Sequence, residues 1–242
     1  MLHSLTLQPA SYHDYPFNVP AIHSLRTLTF ADSRLTFFTG ENGSGKSTLL
    51  EAIALNYGLS LEGGNRNFNF DPDLPKGDTY PLARALKLSF RPARTGEGFF
   101  FRAETLFNLA THMDETGSMG SYDGASLHAR SHGEAFMAVL DYKFRRSGLF
   151  LLDEPEAALS PQRQLSFLIL LYQTLRDYAD AQFIISTHSP ILLSLPGAQI
   201  LAFDDTGIHP IAYEDTPAYQ ITRRFLGSPE TMLQRLLAED ED

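Results

Sequence analysis

Apolar residues in this chain fall in short runs of five or six that end on a polar residue, set between longer stretches of helical periodicity. Leu35 to Thr39, Gly98 to Arg102, Gly148 to Leu152, Gln182 to Ser186 and Gln199 to Phe203 are brief and almost continuously apolar, so they read as buried strands. Ser24 to Phe30 reads as a further strand, joined to the next by the polar turn Ala31-Asp32-Ser33-Arg34, and Leu82 to Phe90 fits either a strand or a helix. Helical spacing runs through Thr48 to Ala54 and again from Ser160 to about Tyr178, where Ser160 is placed as the cap and Pro161 as the first helical residue. Ser131-His132-Gly133-Glu134 opens the apolar run Ala135 to Leu140. With Ser131 as N-cap and Glu134 three residues later it forms a capping box, so a helix is predicted to begin at Ser131. Pro217 to Leu237 carries one or two terminal helices. Leu61 to Pro81, rich in Gly, Asn, Asp and Pro, reads as a surface excursion, and Met113 to Ala125, rich in Gly and Ser, is expected to be mobile.

Three of the predicted strands end in chemistry. The first runs into Gly40-Glu41-Asn42-Gly43-Ser44-Gly45-Lys46-Ser47, with Thr48 opening the next helix, and this satisfies every fixed position of the phosphate-loop pattern G-x-x-x-x-G-K-[ST] in a strand-loop-helix context. Its glycines let successive backbone N–H groups turn around a phosphate, Lys46 supplies a mobile cation, and the Ser47 hydroxyl is placed to ligate Mg²⁺. The second ends in Leu152-Asp153-Glu154-Pro155. A carboxylate at Asp153 suits the Mg²⁺ shell, and one at Glu154 suits polarisation of an attacking water. The third ends in Ser186-Thr187-His188-Ser189-Pro190, where His188 can donate to a γ-phosphate or orient the water. All three lie where ligands of open α/β sheets bind, at the carboxyl edge of a mostly parallel sheet.

Composition narrows the setting. The 242 residues suit a single domain, and 19 basic against 29 acidic residues give a formal charge of -10, which offers no support for sequence-independent nucleic-acid binding. There are no cysteines, hence no thiolate metal site or disulfide framework. No leader pattern and no apolar run of about 20 residues is present, so a cytoplasmic protein without a transmembrane segment is expected. His128 and His132 have zinc-like i, i+4 spacing but lack a third nearby ligand other than Glu134.

The order of these motifs, G-E-N-G-S-G-K-S, then Ser-x-Gly-Glu, then L-L-D-E-P-E-A-A-L-S-P, then S-T-H-S-P, resembles the ATP-binding-cassette type of ATPase. It is most similar to the subgroup of SMC-like, RecF-like and stand-alone AAA-family ATPases, and the likeness covers about residues 20 to 210. The resemblance implies an α/β P-loop domain spanning 1–242, with a smaller, partly helical lobe around 61–147 that carries the signature-like helix. It implies Mg²⁺-dependent hydrolysis of ATP by a head-to-tail homodimer that forms on ATP binding, with Ser131, Gly133 and Glu134 of one subunit completing the other's site. Lys46, Glu154 and His188 take the catalytic roles and Ser47 and Asp153 the metal. The chain departs from the family at His132 and Glu134 in the signature and at Ser160, where an acid is usual. Glu104 stands near the place of the usual glutamine, and Tyr12, Tyr15 and Phe17 are candidates for stacking on adenine. A stand-alone regulatory or defence-type ATPase acting on a protein partner is the expected role. A transporter's nucleotide-binding subunit and an ATP-dependent DNA-binding or repair module are the alternatives; no heptad run is long enough for SMC-type arms.

Overall fold

A computed structural model describes residues 1–8, 14–30, 33–59, 81–91, 97–102 and 132–239. Its centre is a six-stranded sheet in the order β5-β6-β7-β3-β8-β9, formed by β3 (Leu35–Gly40), β5 (Gly98–Arg102), β6 (Gly148–Asp153), β7 (Ala181–Ser186), β8 (Gln199–Asp204) and β9 (Gly207–Pro210). The first five in that order pair in parallel, and β9 closes the edge as an antiparallel hairpin with β8. The five strands expected from the apolar runs are therefore the five parallel strands, and the fold is an α/β P-loop NTPase fold.

Burial on both faces explains why these runs show so little alternation. Successive side chains point to opposite sides, and both sides are covered. Phe38, Phe100, Leu149, Leu151, Ile184, Leu201 and Phe203 face one apolar cluster, while Phe37, Phe99, Phe101, Phe150, Leu152, Phe183 and Ile185 face the other. The first cluster includes α1 (Pro20–Ser24), α2 (Lys46–Tyr57) and α3 (Pro81–Ala85). The second is closed by α4 (His132–Phe144), α5 (Pro161–Asp177) and α6 (Pro190–Leu193). Aromatic rings set the second core: Phe144 lies 4.9 Å from Phe150 and 4.8 Å from Phe183, and Phe150 stacks on Phe183 at 4.8 Å.

A second, three-stranded antiparallel sheet, β2-β1-β4, packs beside α2; it comprises β1 (Leu2–Leu7), β2 (Thr27–Thr29) and β4 (Leu86–Phe90). It is tied to the main sheet by Gln182, whose amide accepts from the Leu2 N–H at 2.7 Å and donates to the Leu2 carbonyl at 2.9 Å. The sequence reading passed over β1. It also took Ser24 to Phe30 as a strand, whereas Pro20 starts α1, Ala21 and Ile22 bury that helix, and the Ser24 hydroxyl bonds back to the Pro20 carbonyl, leaving only Thr27–Thr29 extended. The ambiguous segment Leu82 to Phe90 is both: α3, then β4. The described parts of 61–147 thus contribute to the two sheets and, through α4, to the second core. Two helices, α7 (Pro217–Gly227) and α8 (Pro229–Glu239), end the chain.

Candidate functional site

The phosphate loop forms because β3 ends on three backbone positions that need a positive φ: Gly40 at 146°, Gly43 at 80° and Gly45 at 96°. At Gly40 an added Cβ would meet the Phe203 carbonyl oxygen at 2.2 Å, so glycine is required there by space as well as by conformation. Lys46 opens α2, is almost fully buried, and donates to the Gly40 and Glu41 carbonyls at 2.8 and 2.9 Å. Burial pulls its ammonium below the ordinary range, against the attraction of Glu154 and Asp153. The Ser44 hydroxyl is buried in the loop without a hydrogen-bond partner. A turn of left-handed glycines, a buried ammonium and an orphan hydroxyl together fit a phosphate group.

The β6 end delivers the acids. Ser47 Oγ donates to Asp153 Oδ1 at 2.9 Å across 106 residues of chain. Asp153 is buried, and burial pushes its carboxyl up although the Ser47 hydroxyl and the Arg102 guanidinium pull it down. A hydroxyl and a carboxylate brought together beside a phosphate loop are an oxygen donor set suited to Mg²⁺, which keeps waters and takes one or two carboxylates. Glu154 follows with φ 48°, the sole non-glycine positive φ among the described residues. Its Oε1 lies 3.6 Å from His188 Nε2, and Nε2 is buried without a hydrogen-bond partner. The structure thus brings Lys46, Ser47, Asp153, Glu154 and His188 to one edge, as the motif order predicts.

Sequence reasoning passes over two side chains here. Arg102, at the end of β5 opposite Asp153 in register, is 2.9 Å from Glu51 Oε1 and 3.6 Å from Asp153 Oδ2. Glu156 sits in the 3₁₀ turn Pro155–Ala158, and its Oε1 accepts the His188 N–H at 2.6 Å. Its acidic place in D-E-P-E was a signal, but nothing local says that it reaches a loop 32 residues on. Of the three adenine candidates, Phe17 is buried in the core, Tyr12 lies outside the described residues, and Tyr15 is 66% exposed with its hydroxyl 2.8 Å from Thr48 Oγ1. Ser131, Glu104 and His128 lie outside the described residues. Gly133 falls in the first turn of α4, and Glu134 pairs with Arg163 of α5 at 2.9 Å. Ser160 caps α5 by accepting from the Arg163 N–H, as its place before Pro161 predicts.

Comparison with known proteins bears on this edge directly. A family model described as "AAA domain, putative AbiEii toxin, Type IV TA system" matches residues 132–194, which hold Asp153, Glu154 and His188, and a second described as "AAA domain" matches residues 18–92, which hold the phosphate loop. Both matched segments are AAA domains, and together with the fold they support an ABC/AAA P-loop ATPase. No curated protein sequence matches the chain. Among solved structures it is similar in fold to an ATP-binding subunit of an ABC transporter (TM-score 0.52, 16% identity, 100% of both chains covered). It is also similar to cbiO1 from Clostridium perfringens, part of the ABC transporter complex cbiONQ (0.51, 16%, 98% of this chain and 100% of that one), and to the SMC head domain from Thermotoga maritima (0.50, 17%, 87% and 99%). No helix among the described residues is long and apolar enough to cross a membrane.

Proposed function

We propose that the chain hydrolyses ATP to ADP and phosphate with Mg²⁺, that ATP drives head-to-tail pairing of two copies, and that it acts as a stand-alone regulatory or defence-type ATPase on a protein partner. The observation that carries the chemistry is the 2.9 Å bond between Ser47 Oγ and Asp153 Oδ1, which joins phosphate loop to acidic strand. Lys46 exchanges its two loop carbonyls for phosphate oxygens as ATP enters. Ser47 and Asp153 would hold Mg²⁺, which when bound neutralises phosphate charge. Glu154 accepts the proton of the attacking water, and His188 Nε2, unpartnered and next to Glu154, donates to the γ-phosphate. Exposed Tyr15, beside the first turn of α2, stacks on the base.

Pairing follows from the signature-like helix. The N-terminal turn of α4, with Gly133 and Glu134, offers backbone donors to an anion, and in the proposed dimer that anion is the partner's γ-phosphate, with Ser131 beside it. The type IV toxin–antitoxin wording of the family description supports a defence-type role. Calorimetry and turnover on two variants test the whole reading. Lys46→Ala is expected to lose ATP binding. Glu154→Gln is expected to keep ATP, lose turnover and accumulate ATP-bound dimer; wild-type turnover in Glu154→Gln removes Glu154 from the base role.

A further inference from the structure

The geometry points to a second contact between copies of this chain: the helical hairpin α7–α8 pairs with the same hairpin of another copy, without nucleotide. Both helices are strongly amphipathic, yet α7 has no buried residue. Ile221 (56% exposed), Phe225 (37%), Leu226 (71%), Leu233 (45%), Leu236 (51%) and Leu237 (66%) all stand open to solvent. Each helix has 11 residues, below the roughly 12–15 at which even good helix formers persist alone in water, so the pair depends on burial of its apolar side. The root of the hairpin is fixed. Thr216 is fully buried, caps α7 and donates to the Tyr213 carbonyl, and the Tyr213 hydroxyl donates to the Pro190 carbonyl at 3.0 Å. The start of the hairpin is therefore anchored while its apolar residues are uncovered.

Area and charge identify the occupant. Applied to residue surfaces of about 170–200 Å², the exposed fractions leave on the order of 600 Å² of apolar surface, the top of the range found on ordinary monomers. Two such hairpins face to face would bury about 1,200 Å², which reaches the lower bound of a specific interface. The chain as a whole carries -10, so most of its surface repels a second copy. Pro217–Glu239 holds Arg223, Arg224 and Arg235 for two acids, Glu230 and Glu239, a net +1, and the run Asp240-Glu241-Asp242 that follows brings 217–242 to -2. An isologous, two-fold pairing of hairpins that carry this small share of the -10 covers both apolar sets with little of that repulsion. The same -10 opposes docking on an anionic membrane.

Sedimentation of the full chain without nucleotide tests this, with Lys46→Ala in parallel so that ATP-driven pairing plays no part. Both are expected to sediment as dimers at micromolar concentration. Leu226→Glu combined with Leu237→Glu changes two side chains that are exposed in the single chain, so association should weaken by about 100-fold or more and the rise of melting temperature with protein concentration that pairing gives the wild type should be lost. The chain has no cysteine, so Leu233→Cys gives a single thiol, and a short bis-maleimide should cross-link it into a covalent dimer while Thr206→Cys, on an exposed loop, should not. Monomer at every concentration, unaltered dimerisation of the double variant, or wild-type monomer that co-floats with anionic vesicles would each overturn the pairing. Loss of the ATP-dependent dimer alone would count against the nucleotide sandwich and leave the hairpin contact standing.

Discussion

Glu156 offers the sharpest perturbation, because one carboxylate joins the acidic turn to the histidine loop. Its Oε1 accepts the His188 N–H at 2.6 Å, and its Oε2 is buried without a hydrogen-bond partner. Glu156→Ala leaves that N–H without its acceptor. A hydrogen bond to a charged group contributes about 1.5–3 kcal/mol, and an orphaned buried donor costs about 1–3 kcal/mol. Removal of the buried carboxylate offsets part of this, because burial pushes its carboxyl above the ordinary range and ionising it in place is unfavourable. A net loss of about 1–2 kcal/mol follows, or a melting temperature lower by roughly 3–6 °C for a chain of this size. The loop also carries His188 Nε2, and a shift of about 1 Å in a positioned group can cost on the order of 100-fold in rate. Expected for Glu156→Ala is therefore a kcat lower by roughly 10- to 100-fold, with ATP affinity unchanged because the phosphate loop is untouched.

Glu156→Gln separates hydrogen bonding from charge. It keeps an acceptor for the His188 N–H and should restore most of the rate. Its stability should also exceed that of the wild type at neutral pH. A carboxyl whose folded pKa is raised stabilises fully below its unfolded value and loses that contribution as pH rises through the folded one. The advantage of Gln over Glu should consequently shrink as pH falls through the folded titration. Stopped-flow turnover, calorimetric ATP binding and melts across pH read all three quantities. Unchanged kcat in a folded Glu156→Ala protein, or a fall in ATP affinity that parallels the fall in kcat, refutes the assignment of Glu156 as the support of His188.

Two further outcomes test other parts of the site. Ser47→Ala deprives Asp153 of its 2.9 Å donor and should raise the Mg²⁺ concentration for half-maximal activity by about tenfold or more, the size expected when a metal ligand or its support is lost, while ATP binding in the presence of chelator stays the same; an unaltered Mg²⁺ titration removes Ser47 from the metal. Mixing inactive Lys46→Ala with inactive Ser131→Arg should restore activity through one composite site per heterodimer, in proportion to protein concentration, and failure of recovery in folded proteins that still dimerise returns Ser131 to a helix cap.

How much of this was legible in the sequence follows from how local each signal is. The phosphate loop is a contiguous string whose φ demands are met by glycines at fixed spacing, so Gly40 to Ser47 could be read directly. The five parallel strands were legible because burial on both faces turns them into continuous apolar runs such as Phe183-Ile184-Ile185. β1 goes unread because the two polar residues His3 and Ser4 stand between Leu2 and Leu5, where its pairing with β4 shifts register, and its tie to the main sheet comes from Gln182, 180 residues away. α1 goes unread because five residues carry too little periodicity to announce a helix, and its last residue, Ser24, falls in the expected strand. Arg102 and Glu156 were invisible for another reason: each acts through a partner brought in by register or by a loop crossing, and no spacing rule encodes either.

The charge arrangement at this edge explains why the site needs those non-local partners. Burial raises Asp153 and Glu156 and lowers Lys46, so the fold works against the charged state of the very groups it gathers. Asp153 divides its oxygens, Oδ1 to Ser47 and Oδ2 toward Arg102, which keeps an acid functional next to two other carboxylates in a chain of net charge -10. Lys46 is held by backbone carbonyls, which bring partial negative charge but no full countercharge. A ligand that brings anionic phosphate to Lys46 and a divalent cation to Asp153 supplies both missing complements at once, in surroundings of low dielectric where each is worth most. Neither half alone does so: phosphate without the cation adds anions beside three acids, and the cation without phosphate adds positive charge beside Lys46 and Arg102. On the proposed reading, preference for the metal-bound triphosphate is therefore a property of the whole edge, to which Arg102 and Glu156 contribute along with the loop that announces it.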